Sequence, residues 1–151
     1  MTPLLDRAGI EALIPHAGTM SLWDALLEAS ETQLRLRTDS HRRADHPLRR
    51  DGQLSAVHLI EYGAQAMAVH GGWLARRAGG GSARPGVLAA VRDFKLRVER
   101  LDDLDAPIEC AAQRLVANAG GWMYGFTLLC DERELASGRA SVIHLPEGTA
   151  V

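Results

Sequence analysis

Two residues of this chain, His46 and Glu61, are of types that transfer protons in catalysis. An imidazole has a reference pKa of about 6.5, so with modest tuning His46 can remove an acidic proton alpha to a carbonyl group. A carboxyl group that is partly withdrawn from water has a raised pKa and can act as the complementary acid or base. The pair therefore indicates general acid–base chemistry, provided that the surrounding elements bring both residues to one site.

Glu61 lies in a segment whose pattern predicts one long helix from Ser55 to Ala78. Apolar or small residues recur there at helical spacing, and Ser55 is suited to cap the first turn. At 100° per residue, Glu61 lies on the small, apolar face of this helix, which predicts partial desolvation and a raised pKa. Gln65, one turn further along, can donate an amide hydrogen bond that holds the Glu61 rotamer. The same face contains Val57, Ala64 and Ala68.

His46 lies in the polar segment from Thr38 to Gly52, which predicts a loop. A loop of this length inside a compact domain is usually functional, and Pro47 restricts the backbone of His46 to an extended conformation. The remaining histidines show no compact ligand spacing, so their pattern does not favour a metal site. These histidines are His16, His41, His58, His70 and His144.

Each candidate residue also has a purely structural interpretation. Glu61 could stand exposed at the edge of the apolar face or pair with an arginine, and Gln65 could be an ordinary surface residue. His46 could be a solvated loop side chain. Only the geometry of the folded chain separates these interpretations from the catalytic ones.

The elements around the helix are predicted to be strands. Segments around 22–29 and 33–38 predict two strands joined by a short hairpin, and the last third predicts four strands as an antiparallel meander. The sequence therefore predicts one α+β domain spanning 1–151, with an antiparallel sheet of about six strands around one long central helix.

Composition excludes several other classes of protein. The 17 basic and 19 acidic residues give a net charge of −2, which offers no broad positive field for a nucleic acid. No window has the roughly 18 consecutive apolar residues of a membrane span, and we expect a cytosolic protein. Cys110 and Cys130 are predicted to be buried, reduced side chains, with a disulfide as the less favoured alternative.

Two motifs resemble a known enzyme family. The segment IPHAGTMSLWDALLE resembles the opening of the FabZ-type β-hydroxyacyl-(acyl carrier protein) dehydratases, Leu-Pro-His-x-x-Pro-x-Leu-Leu-x-Asp. Glu61-Tyr-Gly-Ala-Gln65 resembles their Glu-Ala-Met-Ala-Gln segment on the central helix. The segment HPLRRDGQLSAVHLIE lacks the His-Phe-Pro-Gly of the housekeeping enzymes, and is more similar to the dehydratases of aryl-polyene and related polyketide-like clusters.

The resemblance implies a hotdog fold and a homodimer, with a higher oligomer or a heterodimer with a related subunit as alternatives. Each of two interface sites would then combine the histidine of one subunit with the acid of the other. His46 would take or return the alpha proton of a 3-hydroxyacyl thioester. Glu61, held by Gln65, would deal with the β-hydroxyl as it leaves as water, and the product would be a trans-2-enoyl thioester. The resemblance also implies that the reaction needs neither a metal nor an organic cofactor.

A basic region provides a candidate docking face for an acidic acyl carrier protein, although coenzyme A could carry the acyl group instead. Its residues are Arg76, Arg77, Arg84, Arg92, Lys95 and Arg97. Two other functions stay open. One is a hotdog thioesterase, in which Glu61 activates water against an acyl-CoA carbonyl, and the other is a non-catalytic subunit that binds acyl chains or supports an active partner.

Overall fold

A computed structural model describes residues 2–14, 18–79 and 86–145. His16 and Arg84, both considered above, lie outside these described residues. The strands are β1 (Leu5–Asp6), β2 (Ala25–Ala29), β3 (Gln33–Thr38), β4 (Gly86–Leu96), β5 (Ile108–Asn118), β6 (Gly121–Cys130) and β7 (Arg133–His144). The helices are α1 (Arg7–Glu11) and α2 (Leu59–Arg77), and a short 3-10 turn, Ala56–His58, leads into α2.

The strands form one antiparallel sheet in the order β1-β2-β3-β5-β6-β7-β4. The predicted α+β architecture is confirmed, with six long strands and the additional two-residue strand β1. The meander prediction holds for β5, β6 and β7 but is wrong for β4, which pairs with β7 at the sheet edge. The connection from β4 to β5 is too long for a hairpin, so β5 pairs with β3 instead.

Helix α2 lies against one face of this sheet. Its buried side includes Leu59, Tyr62, Ala66 and Met67. At Gly63 a β-carbon would lie 3.1 Å from the ring of Phe126 on β6, so the small residue lets helix and sheet approach closely. The helix prediction is confirmed, and Ser55 accepts a hydrogen bond from the Val57 N–H at its start.

The small face of α2 that contains Glu61 is not the face that packs against the sheet. Val57 is 48% exposed, and Glu61, Ala64 and Ala68 are only partly buried. The residues of the buried face lie on the opposite side of the helix because consecutive side chains are separated by 100°. In the single chain, the apolar face beside Glu61 therefore remains partly open.

The loop between β3 and α2 is more ordered than its polar sequence indicates. Its first part forms the 3-10 turn Ser40–Arg42, and the loop buries Ser40, His41 and His46. Cys110 and Cys130 are free and buried, as predicted. Within the described ranges, no helix is long and apolar enough to cross a membrane.

Candidate active site

The side chain of Gln65 connects α2 to the segment before β2 and to Glu61. Its Oε1 accepts a hydrogen bond from the Leu22 N–H at 2.9 Å, and its Nε2 donates to the Met20 carbonyl at 2.8 Å. These two backbone groups fix the orientation of the amide. The second Nε2 proton is therefore directed to Glu61 Oε1, 3.0 Å away. The predicted hydrogen bond between Gln65 and Glu61 is confirmed.

His46 makes its contact with Tyr62, the residue that follows Glu61. Its Nε2 lies 3.1 Å from Tyr62 Oη, and its Nδ1 accepts the Leu48 N–H at 3.1 Å. His46 is 5% exposed and Tyr62 is fully buried, so the solvated-loop interpretation of His46 is excluded. In the structure, Glu61 is hydrogen-bonded to Gln65, and His46 is hydrogen-bonded to Tyr62. Glu61 and Tyr62 are consecutive residues of α2.

The hydrogen bonds fix the tautomer of His46. A backbone N–H can only donate, so Nδ1 carries the lone pair and Nε2 carries the proton in the neutral ring. The Nε2–H therefore donates to Tyr62 Oη. Tyr62 Oη is also hydrogen-bonded to Ser40 Oγ, 2.8 Å away.

Burial and nearby positive charge keep His46 neutral. Desolvation, together with repulsion from Arg49, His58 and Arg43, lowers the pKa of His46 to about 4. Burial raises the pKa of Tyr62 to about 12, so its hydroxyl stays protonated. Both groups are uncharged near neutral pH, which suits a buried hydrogen-bonded network.

Asp24 holds the loop of His46 against β2. Its carboxylate accepts hydrogen bonds from the Asp39 N–H at 2.8 Å and from Arg43 at 2.6 Å, and it also pairs with Arg7 at 3.1 Å. Burial acts to raise the pKa of Asp24, but these hydrogen bonds and the charge of Arg43 outweigh it and lower the pKa. Asp24 stands at the position of the aspartate in the family's opening motif, which is the sequence signal for this role.

Sequence reasoning did not identify Tyr62, Ser40 or Trp23 as parts of the site. Trp23 is buried and donates from its indole nitrogen to the Tyr62 carbonyl at 2.9 Å. Tyr62 occupies the alanine position of the Glu-Ala-Met-Ala-Gln segment. A tyrosine where that segment has alanine is the sequence signal that could have identified Tyr62 as part of the site.

Two of the other described histidines, His41 and His70, make structural contacts. His41 is buried and donates from Nε2 to the Leu104 carbonyl at 3.2 Å. His70 is buried between Ser30 and Tyr124. No group of three or more histidine, cysteine or acidic side chains in ranges 2–14, 18–79 and 86–145 is arranged to hold a metal ion.

The described residues of the basic region are exposed. Arg77 lies over the ring of Trp73, Arg76 donates to the Ala12 carbonyl, and Arg97 pairs with Glu134. Arg92 and Lys95, on β4, form no ion pair with any described residue. Among the described residues of this region, these two are the cations without a side-chain hydrogen bond, ion pair or ring contact.

The chain has the hotdog fold, in which one long helix packs against an antiparallel sheet. Similarity to a solved structure supports this assignment. The dehydratase heterocomplex ApeI:P from Xenorhabdus doucetiae matches with a TM-score of 0.82 at 18% identity, over 97% of this chain and 93% of that chain. The chain belongs to the ApeP-like dehydratase family, whose model matches residues 8–151. It is therefore a hotdog dehydratase of the aryl-polyene type.

Two thioesterase-type structures share the fold at lower similarity. A hypothetical thioesterase with coenzyme A from Streptococcus pneumoniae has a TM-score of 0.59 and 10% identity, over 82% of this chain and 87% of that chain. A putative thioesterase from Shewanella oneidensis has a TM-score of 0.59 and 14% identity, over 93% and 94%. No curated protein matches the sequence.

Replacing Gln65 by methionine tests its connecting role. The substitution keeps the length of the side chain but leaves the Leu22 N–H and the Met20 carbonyl without their partner. We expect the free energy of unfolding to fall by about 1–3 kcal/mol in urea titrations. The matched control Gln113→Met, at an exposed position, should change it by less than about 0.5 kcal/mol. Equal effects at both positions would contradict the connecting role.

The lowered pKa of His46 predicts a loss of stability in acid. Unfolded His46 takes up a proton below about pH 6.5, whereas folded His46 resists protonation until its pKa of about 4. Its contribution to stability is therefore complete above pH 6.5 and is lost as the pH falls towards 4. The free energy of unfolding should depend less on pH across this window in His46→Gln than in the wild type. A parallel pH dependence in the two proteins would show that His46 titrates normally when folded.

Proposed function

We propose that this chain removes water from 3-hydroxyacyl thioesters to give trans-2-enoyl thioesters, in the biosynthesis of aryl polyenes or similar polyketide-like chains. The observation that carries the proposal is the carboxyl group of Glu61, held by Gln65 on the open face of α2 in a dehydratase-family chain. A group fixed at that face can meet a substrate that enters between α2 and a second subunit.

The proposed reaction uses His46 and Glu61 as the catalytic pair. His46 takes the proton of the alpha carbon, the bond between the beta carbon and its oxygen breaks, and Glu61 passes a proton to the departing hydroxyl. Water leaves, a carbon–carbon double bond forms, and the proton on His46 returns to Glu61 through solvent. Gln65 keeps the carboxyl group in one orientation. The step assigns no role to a metal or an organic cofactor.

A second hotdog subunit is the proposed cover for the open surfaces of this chain. β4 is an edge strand with β7 as its neighbour, and it exposes Val87, Leu88 and Leu96. An exposed apolar edge strand favours pairing with another strand. We propose a homodimer in which each site combines His46 of one subunit with Glu61 of the other.

The matched dehydratase structure supports a related alternative, because it is a heterocomplex. The same edge and helix face of this chain could receive a different hotdog subunit instead of a second copy. The homodimer is tested first, because it requires no component beyond this chain.

An acyl carrier protein is the proposed donor of the acyl chain. Arg92 and Lys95 are exposed and, among the described residues, have no acidic partner. Pairing between strands uses the backbone, so these two side chains would stay on the faces of the sheet in a dimer. Such a surface suits a negatively charged carrier, with coenzyme A as the alternative source of the thioester.

One observation favours a second candidate, a non-catalytic subunit that supports an active partner. His46 is nearly buried, and both of its ring nitrogens are hydrogen-bonded to its own chain. A base needs a free lone pair, so His46 must first lose its bond to Leu48. If it does not, this chain contributes structure, or Glu61 alone, to a site completed by a different subunit.

The assay is the incubation of the purified protein with 3-hydroxyacyl thioesters on carrier protein and on coenzyme A. We expect mass spectrometry to show the loss of one water per acyl group and the appearance of the conjugated thioester. His46→Gln and Glu61→Gln should lower kcat by about a hundredfold or more. The matched controls His144→Gln and Glu28→Gln remove the same group types elsewhere and should retain near-wild-type rates.

The products distinguish the candidate functions. Release of free thiol without an enoyl product would indicate a thioesterase. Absence of turnover by the pure chain, with turnover after a second hotdog subunit is added, would favour the supporting subunit. Turnover that survives both site substitutions would overturn the assignment of the pair.

A further inference from the structure

Tyr62 occupies an unusual position between His46 and Ser40. Its side chain is fully buried, with Oη 3.1 Å from His46 Nε2 and 2.8 Å from Ser40 Oγ. Its backbone is also fixed, because the Trp23 indole donates to the Tyr62 carbonyl. The hydroxyl is therefore held at a defined point, and the imidazole ring that bonds to it has little freedom to rotate.

We propose that Tyr62 is a positioning residue that holds the Nε2–H of His46, so that Nδ1 is the nitrogen that takes the alpha proton of the substrate. This inference rests on the proposed function of His46 as the base. The direction of each bond supports it, because the Leu48 N–H identifies Nδ1 as the nitrogen with the lone pair. Nε2, already protonated, has no capacity to accept another proton.

The proton balance follows from this arrangement. When Nδ1 takes the alpha proton, the ring becomes an imidazolium, and Nε2–H continues to donate to Tyr62 Oη. The phenolic proton stays on Tyr62, since burial raises its pKa to about 12, so no proton passes through the tyrosine. One hydrogen bond must open before this step. The Leu48 N–H donates it to Nδ1 of His46, and it occupies the lone pair that has to take the alpha proton. Leu48 lies in the same short loop segment as His46.

Tyr124 and His70 provide a matched comparison in the same chain. Both are buried, and the tyrosine hydroxyl lies 2.6 Å from Nδ1 of the histidine. Nε2 of His70 donates to the Ser30 carbonyl, so Tyr124 donates its proton to the ring instead of accepting one. The hydrogen bond between tyrosine and histidine thus runs in opposite directions in the two pairs. Tyr124→Phe removes a buried phenol without affecting the group that accepts from His46.

Nitrogen NMR of the full-length protein, with histidine labelled by ¹⁵N, tests the inference without an activity assay. We expect His46 to show a protonated Nε2 and an unprotonated Nδ1 near neutral pH. Tyr62→Phe removes the acceptor that also stabilises the imidazolium, so it should lower the pKa of His46 further. The charged and titratable groups that face His46 are unchanged in this variant, namely Arg43, Arg49, His58 and His41. Tyr124→Phe should leave the His46 signals in place.

Kinetics provide the second measurement. In Tyr62→Phe we expect kcat to fall about ten- to a hundredfold with little change in KM, and the acid limb of the pH profile to shift to lower pH. Tyr124→Phe should show neither change. If Tyr62→Phe does not fold, the tautomer of His46 in the wild type still tests the inference. A protonated Nδ1 near neutral pH would overturn it.

Failure of this inference is distinguishable from failure of the proposed function. A protein without dehydratase activity whose His46 has the expected tautomer, with a pKa that responds to Tyr62→Phe, would refute the proposed function but leave the positioning of the imidazole by Tyr62 in place. An active protein in which Tyr62→Phe changes neither kcat nor the pH profile would refute the positioning role alone.

Discussion

The hydrogen bonds of Gln65 are the constraint on which the rest of the site depends. One buried amide fixes the segment of Met20 and Leu22 to α2 and, with its remaining proton, orients Glu61. That segment continues into Trp23 and Asp24, which hold Tyr62 and the loop of His46. A buried amide with all of these partners is costly to disturb, so the helix and the loop are positioned together.

The sequence was sufficient to predict the central helix, the six long strands and the Gln65–Glu61 hydrogen bond. These features follow from local periodicity and from i, i+4 spacing, which act within a single element. The edge position of β4 could not be predicted. A long connection follows this strand, and such a connection gives no information on the strand with which β4 will pair. The burial of His46 also escaped prediction, since it arises from contacts with Tyr62 and with the loop around Asp24.

Tyr62 illustrates how a site can depart from its family pattern. The FabZ-type segment has alanine at this position, whereas the tyrosine in this chain fills the space beneath His46 and engages its Nε2. A buried phenol gives the imidazole one tautomer and one orientation. The catalytic role proposed for His46 therefore depends on a residue that does not touch the substrate.

The open face of α2 and the edge of β4 connect the fold to its proposed chemistry. Both are open in the described part of the single chain, and the proposed second subunit would cover them. The resemblance to the FabZ-type dehydratases likewise implies two sites at a subunit interface, each formed by residues of both subunits. A site completed by association makes activity depend on which subunits meet.

Subunit complementation tests this account most directly. His46→Gln and Glu61→Gln chains with different affinity tags would be co-expressed, and the mixed dimer isolated by sequential purification. We expect each variant to be inactive alone and the mixed dimer to regain part of the wild-type dehydration rate, because one of its two sites has both residues intact. A mixed dimer that remains as inactive as either variant, while the wild type turns over, would contradict a site shared between two copies of this chain.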